Sequence, residues 1–466
     1  MQALSRNMIA AATGGQILMG ADGPDFTQVF TDTRKPVEKG LFFALDGPNF
    51  NAHKFLSKAI EKGASGLVIS NKDAIPASAN DDLYVLLVEN TRQALGLVGQ
   101  TARLKQNAIA VAITGSVGKT TMKNMVAAAL APFGKVGRTP GNYNNDIGLP
   151  LTLCGMDGDE DFIVLELGMN APGEIEALTK LAVPNVGLVT GAHPAHLEFF
   201  KNVDAIADAK SELYATLDPS AYAIANGDDS RIIKRARTLH PQKLTTYGLE
   251  EGATVRALSP KTSSKGVKTT ITGPTFTQTL TIPALGVHHA LHAAGALAVV
   301  DALGLDVQKA AESISLSYCG EPHRMSLLQS DDDVTILDDC YNASPLSMSA
   351  ALKTFGELAE KASRRVAVLG SMLELGEQAA SFHQETGRLV VESGIDELFA
   401  IGPFASDLAE GASQAGLRKV STAEDVTDVV ANIIDSTPSH SWLLLKGSRG
   451  GRLERVLDSY TLEETG

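Results

Sequence analysis

Short apolar runs of strand length, each followed by a polar loop and then by a helically spaced stretch, recur along most of the chain. The clearest is Ala108 to Ile113, six apolar residues without a charge, as a strand buried on both faces of a parallel sheet requires. Upstream, Leu41 to Leu45, Gly66 to Ile69 and Tyr84 to Val88 have the same character. Between the first two, His53 to Lys62 has helical spacing, with Phe55, Leu56, Ala59 and Ile60 on one face. A helix from Arg92 to Lys105 then leads into the Ala108 strand. Downstream come the strands Phe162 to Leu165 and Val186 to Thr190, a helix over about Val203 to Leu217, and an alternating, threonine-rich stretch at 253–285. That alternation predicts antiparallel strands at a domain edge. From about residue 320 strand and helix alternate again, with strands at Val334 to Leu337, Val366 to Leu369, Leu398 to Ile401 and Trp442 to Leu445. Right-handed crossovers then give a mostly parallel, doubly wound sheet.

A length of 466 residues fits about three domains. The pattern places them at 1–105, a small α/β unit; at 106–318, a nucleotide domain around a parallel sheet; and at 319–466, a Rossmann-like, doubly wound domain. The fold class is α/β.

Candidate chemistry sits in the loops that follow the strands. After Ile113 comes Thr114-Gly115-Ser116-Val117-Gly118-Lys119-Thr120-Thr121, followed by a long helical stretch. Small residues there let backbone N–H groups turn inward around phosphate oxygens, and the helix adds its positive dipole end. Lys119 reaches the outer phosphates and the Thr120 hydroxyl faces Mg²⁺ in such a loop. The motif is the short G-x-x-G-K-T; Ile113 stands where the longer form has its first glycine. Glu166 ends the next strand, placed for a metal beside phosphates. Val186 to Thr190 opens into Gly191 to Glu198, where His193 and His196 repeat that placement. The amide-rich loop Gly141 to Gly148 reads either as turn chemistry or as donors and acceptors for a polar ligand. Thr31-Asp32-Thr33-Arg34 reads as a solvated loop whose arginine could pair with a phosphate. His288, His289 and His292 share one region of a helix start. Without a local carboxylate or thiolate they read as facing a ligand rather than holding zinc. In the last domain the loops after strands are Asp338 to Asn342, Gly370 to Gly376 and Lys446 to Arg449.

Composition narrows the class. Apolar residues make up 44% and charged residues 20%, ordinary for a globular protein, and the net charge of −14 argues against a nucleic-acid surface. Three widely spaced cysteines, Cys154, Cys319 and Cys340, fit a reducing compartment. The apolar stretch Met8 to Ala12 is too short for a signal peptide, and no run approaches the ~18 residues of a membrane span. A cytoplasmic location is expected.

Taken together, the loops resemble those of the Mur ligases, ATP-dependent amino-acid and peptide ligases of peptidoglycan precursor synthesis. The matching strings are T-D-T-R, G-L-F-F-A-L-D-G, T-G-S-V-G-K-T-T, G-N-Y-N-N-D-I-G-L-P-L-T-L, L-E-L-G-M, A-H-L-E, A-K-S-E, G-E-P-H-R-M, D-D-C-Y-N-A-S-P-L-S-M, M-L-E-L-G-E and L-L-K-G-S-R-G. The amide-rich loop, D-D-x-Y-N and M-L-E-L-G resemble the branch that adds D-alanyl-D-alanine. The resemblance implies a UDP-sugar-peptide-binding first domain, a central ATPase and a C-terminal domain for D-Ala-D-Ala. It implies UDP-MurNAc-tripeptide and D-Ala-D-Ala as substrates, ATP, two Mg²⁺ ions, an acyl-phosphate intermediate and a monomer. Thr120 and Glu166 would hold one ion and His196 the second. Lys210 aligns with a lysine carbamylated in many relatives, which would bring it into the metal shell. Arg324 would contact phosphates, Asp339 the ribose and His292 the adenine. Lys446, Ser448 and Arg449 would meet the peptide or the acyl phosphate. Thr33, Arg34, Asn142, Asn144, Asn145, Tyr341 and Asn342 are the other implied substrate contacts. Four places depart from the family pattern: His289 and His292 stand for asparagines, Ser371 for aspartate, Gly191 for asparagine, and Asn51-Ala52-His53 for Asp-Gly-His. Two other readings stay open: a ligase adding one diamino acid to the UDP-MurNAc-dipeptide, and a phosphate-loop switch protein. The second lacks the base-reading N-K-x-D motif, since Asn71-Lys72-Asp73-Ala74 fails the pattern and precedes the loop.

Overall fold

The computed structural model describes residues 3–47, 50–194 and 197–462. Its apolar runs assemble into three main sheets. The first has strand order Gln16–Met19, Tyr84–Leu87, Ala64–Ile69, Gly40–Phe43, Gln28–Phe30. It is parallel except at Gln16–Met19, which runs antiparallel along one edge. The helix expected over His53 to Lys62 is divided. A 3₁₀ turn at Ala52–Phe55 precedes an α-helix at Leu56–Glu61. The cause is local: Asn51 Oδ1 accepts from the His53 amide at 2.9 Å and tightens the first turn. The His53 ring is then held between Asn51 and the Ser70 amide, which donates to Nε2 at 3.0 Å. Asn51 and His53 are thus tied into the scaffold of this unit.

The central sheet has nine strands, in the order Thr277–Ile282, Gly266–Thr272, Val255–Ser263, Leu244–Gly248, Tyr222–Asn226, Val186–Val189, Ile109–Thr114, Phe162–Glu166, Val136–Arg138. The last seven are parallel, and the first two add an antiparallel edge, as the alternation at 253–285 predicts. Ile109–Thr114 lies third from one edge, where the order of strands reverses, so the crevice beyond its carboxyl end is the expected ligand site. Register aligns the neighbours there, with Glu166 beside Ile113 and Val189 beside Thr114. Strand residues alternate between two cores. Val111, Ile113 and Val164 face Met122, Met125 and Val126 of the helix Lys119–Leu130. Ala110, Ala112, Ile163 and Leu165 face Leu149, Leu153 and Ile175. Each buried side chain of leucine or isoleucine size contributes about 1.5–3 kcal/mol. Beyond its histidine-bearing start the helix His288–Ala302 consists mostly of small apolar residues and lies buried in the first of these cores.

The third sheet runs Ser326–Gln329, Thr335–Asp339, Ser441–Lys446, Arg364–Gly370, Glu397–Ile401, Val420–Ala423. Only its first strand is antiparallel. Asp339 and Leu369 both pair with Lys446, so the loops that follow these strands emerge side by side.

The first unit is locked to the central one by the helix Thr91–Leu104, N-capped by Asn90. Arg103, buried, donates to the carbonyls of Ala182, Gln106, Ala108 and Val183 at 3.0–3.2 Å. Removing it leaves buried acceptors unpaired. Arg103→Ala is expected to lower the urea-unfolding free energy by roughly 2–4 kcal/mol; a loss below about 0.5 kcal/mol would show that water replaces the guanidinium.

Candidate functional site: a phosphate loop facing the third sheet

The loop after Ile109–Thr114 is shaped by two glycines at close approaches. Gly115 has φ +151° and lies against the Thr190 hydroxyl; Gly118 has φ +81° and lies against Nε2 of His292. A side chain at either would collide. Gly118 opens the helix Lys119–Leu130 with no side-chain cap, which leaves the first helical amides free for an anion. The loop is fastened from the next strand. Thr190 Oγ1 donates to the Val117 carbonyl at 2.6 Å, the Ser116 amide donates to Gly191 O at 2.9 Å, and the His193 amide donates to Ser116 Oγ at 3.0 Å. Lys119 folds back on the loop and donates to Gly115 O at 2.8 Å. Burial depresses its ammonium, and the Glu166 charge offsets part of that.

Glu166, 2% exposed, is where the elements meet. Thr120 Oγ1 donates to Oε2 at 3.0 Å and Asn144 Nδ2 donates to Oε1 at 2.8 Å. The Lys123 ammonium stands 3.8 Å away, fixed by its bond to Thr139 O at 2.9 Å. Arg324, from the segment before the third sheet, donates to Thr120 Oγ1 at 3.3 Å and stacks over Tyr341 at 4.3 Å. A hydroxyl and a carboxylate this close, both oxygen donors, fit a hard divalent cation. Lys210 lies on the helix Val203–Thr216, N-capped by Asn202. It is 2% exposed and has no hydrogen bond or ion pair with any described residue. Burial, with repulsion from Lys119 second, holds its amine well below the ordinary lysine range. His196 lies outside the described residues. His193 is partly buried, and burial lowers its imidazole.

Beside the loop is a cavity of about 150 Å³ lined by Gly118, Asn226, His292, Tyr318, Arg324 and Asp339 among others. The three histidines of the helix start gather there, with ring centroids 4.4–6.1 Å apart. Nδ1 of His289 and of His292 is buried without a partner, so polar atoms line the cavity side of this helix. Burial keeps the cluster neutral, with His288 lowered to about 4 and His292 to about 3.

The other implied contacts divide. In the amide-rich loop Asn144 serves Glu166, whereas Asn145 holds the turn that leads into the helix Gly148–Gly155, accepting from the amides of Ile147 and Gly148 at 3.2 and 2.8 Å. Asn142 is exposed. The loop is also tied to the first unit, where Arg92 donates to Asp146 at 2.6 Å. Thr33 is buried; Arg34 is exposed, pairs with Asp32 at 2.6 Å and lies within electrostatic reach of Tyr143. These two residues belong to the outer unit and do not touch the phosphate loop's partners described above. Lys446 is 1% exposed and committed to Asp339 at 2.7 Å and to Asn342 O at 3.1 Å. Ser448 accepts from the Leu373 amide at 3.4 Å, and Arg449 pairs with Glu454 at 3.2 Å. Ser371 bridges two turns, donating to Ile401 O and accepting from Phe404 N. Lys123, Thr139, Thr190, Asn226 and the Asn124–Glu321 pair were missed by motif reading. A signal existed for two of them. Lys123 and Asn124 lie four residues after Lys119 and Thr120 and share their helical face.

Residues 113–300 match the Mur ligase middle domain and residues 323–449 match the Mur ligase, glutamate ligase domain. The chain belongs to the Mur ligase family and is an ATP-dependent ligase. Within the family it is similar to the UDP-N-acetylmuramoyl-tripeptide–D-alanyl-D-alanine ligase of Buchnera aphidicola subsp. Baizongia pistaciae, at 32% identity over 93% of this chain and 92% of that one. Among solved structures it is similar to MurF from Acinetobacter baumannii, with TM-score 0.89 and 28% identity over 98% of this chain and 99% of that one. It is also similar to a MurF ligase from Thermotoga maritima in complex with ADP, with TM-score 0.80 and 26% identity over 92% and 96%.

The histidine cluster yields a pH prediction. A histidine whose folded value is depressed favours the unfolded chain once that chain begins to protonate. Its stability is therefore complete above 6.5 and is lost as pH falls toward the folded values. Between pH 6.5 and 4.5 the wild type is expected to lose unfolding free energy faster than His289→Asn/His292→Asn, by up to about 1.4 kcal/mol per pH unit for each imidazole. Parallel curves would show that these rings titrate normally.

Proposed function

We propose that the chain joins D-alanyl-D-alanine to UDP-N-acetylmuramoyl-tripeptide, giving the UDP-MurNAc-pentapeptide, ADP and phosphate. The single observation that carries this reading is the junction at Thr120. One hydroxyl donates to Glu166 of the central sheet and accepts from Arg324 of the third unit, so the phosphate end of the nucleotide faces the loops of the third sheet. The family and the relatives' names supply the substrates. In this reading residues 1–105 bind the UDP-MurNAc-peptide, 106–318 bind ATP, and 319–466 bind the dipeptide.

ATP lies with its phosphates on the loop Thr114 to Thr121 and its base in the cavity beside His292. Lys119 leaves its carbonyl contacts for the β- and γ-phosphates, and Arg324 adds a second positive charge to the transferring group. An oxygen of the tripeptide's terminal carboxylate takes the γ-phosphoryl group and ADP departs. The free amine of D-Ala-D-Ala adds to the carbonyl carbon of the acyl phosphate and gives up a proton. The tetrahedral carbon then expels phosphate, leaving the amide. Thr120 and Glu166 would hold a Mg²⁺ ion, with His196 and Lys210 completing a second site; such ions neutralise charge on the phosphates. Lys210 is suited to carbamylation because its depressed amine is available to take up CO₂ with loss of a proton. The carbamate is an anion able to join the metal shell. Asn144 keeps Glu166 aimed, and Lys123 sets the charge balance behind it. Asp339, steered by Lys446, is placed for the ribose. Tyr341 and Asn342, with Ser448 and Arg449, border the peptide side, and Thr33 and Arg34 the UDP-sugar side. The enzyme acts as a cytoplasmic monomer; no described helix is long and apolar enough to cross a membrane.

Phosphate release with ATP, Mg²⁺ and UDP-MurNAc-tripeptide is expected to require D-Ala-D-Ala. Turnover indifferent to the dipeptide, or seen only with UDP-MurNAc-dipeptide and a diamino acid, would sink the assignment. Lys119→Ala is expected to cut turnover at least ~100-fold with circular dichroism unchanged. Near-normal release by that variant would remove Lys119 from the mechanism.

A further inference from the structure

Asp338 is a buried carboxylate that pairs with no lysine or arginine among the described residues. Glu166 has Lys123, and Asp339 has Lys446. The partners of Asp338 are a histidine and a thiol: His323 Nδ1 stands 2.6 Å from Oδ2, and Cys340 Sγ donates to Oδ1 at 2.9 Å. Nδ1 and Sγ are 3.7 Å apart, each on a different oxygen of the one carboxylate, and one ligand atom from each of the three residues lies within 4.8 Å of the other two. Close by, one carboxylate oxygen of Glu454 is buried with no partner, which deepens the negative field on this side of the sheet.

We propose that His323, Asp338 and Cys340 bind a thiophilic divalent cation of the zinc type. Tetrahedral bonds of about 2.0 Å to nitrogen and oxygen and 2.3 Å to sulfur set ligand-to-ligand edges of about 3.3–3.6 Å. The 3.7 Å between Nδ1 and Sγ is already near that span, and each atom holds an oxygen of the same Asp338 carboxylate, so the three residues surround one point. Cys340 and Asp338 are closed off, but the His323 side chain is 31% exposed, which gives an entry path and room for water as the fourth ligand. Binding releases one proton from the Cys340 thiol, and the ring proton of His323 moves to Nε2. The sulfur ligand separates this site from the oxygen-lined pair Thr120 and Glu166, which suits Mg²⁺.

Position gives the cation a role. Arg324 is held between two residues of left-handed backbone, His323 at φ +60° and Met325 at φ +55°. Asp338 and Cys340 sit at the end of the strand Thr335–Asp339, beside Tyr341 on which Arg324 stacks. A cation here ties the segment carrying Arg324 to the third sheet.

Cobalt titration of the full chain in excess Mg²⁺ tests the site, since thiolate bound to Co²⁺ gives a charge-transfer absorption that Mg²⁺ sites lack. One equivalent is expected to develop the band in wild type and in Cys319→Ser, and to develop none in Cys340→Ser or His323→Ala. Zn²⁺ alone is expected to raise Tm in wild type and not in His323→Ala, a comparison that stands even if Cys340→Ser fails to fold. Absence of the band in wild type, its survival in His323→Ala, or its loss in Cys319→Ser overturns the proposal and leaves only the His323–Asp338 hydrogen bond.

Discussion

The geometry of the phosphate site depends on one buried carboxylate. A charge as enclosed as Glu166 is tolerated only when its lone pairs are taken and a counter-charge is near, and removing one partner of such a group costs about 3–5 kcal/mol. Its partners come from two elements: Thr120 and, one turn further along, Lys123 from the phosphate-loop helix, and Asn144 from the amide-rich loop. The Glu166 amide is taken by Thr139. The desolvation of Glu166 therefore ties the phosphate-loop helix and the amide-rich loop to the strand that carries it. The same convergence of oxygen donors that stabilises the folded chain is what a phosphate-bound cation needs.

Topology explains why the groups meet there. Parallel strands place their following loops on one edge, and the central strand has neighbours leaving in opposite directions, which opens a crevice at its carboxyl end. The third sheet brings its own carboxyl-end loops against this crevice through Arg324 and Tyr341. The first unit reaches the same region by the Arg92–Asp146 bond to the amide-rich loop. Substrates delivered by two outer units thus meet at a nucleotide held by the middle one.

Much of this was legible in the sequence, for physical reasons. Charge-free runs such as Ala108 to Ile113 have one use, a strand covered on both faces, and the loops after such runs carried most of the site. Short half-exposed strands such as Gln16–Met19 and Val136–Arg138 have little apolar signal and exist through their neighbours. Lys123 belongs to no motif, and only the fold shows it buried against Glu166. Asn145 and Ser371 matched or broke a motif, yet their side chains hold turns. Lys446, expected at the peptide, spends its charge on Asp339. Histidine in place of asparagine at 289 and 292 left the cavity wall polar, a result that depends on the packing of the whole buried helix.

The central claim is that the loop passes a phosphoryl group to a carboxylate before the amide bond forms. Tripeptide substrate labelled with heavy oxygen in its terminal carboxylate tests it directly, by mass analysis of the phosphate released in the presence of D-Ala-D-Ala. The account predicts one labelled oxygen in every phosphate, because the bridging oxygen of the acyl phosphate leaves with phosphorus. Unlabelled phosphate, as attack by water on ATP would give, would contradict it.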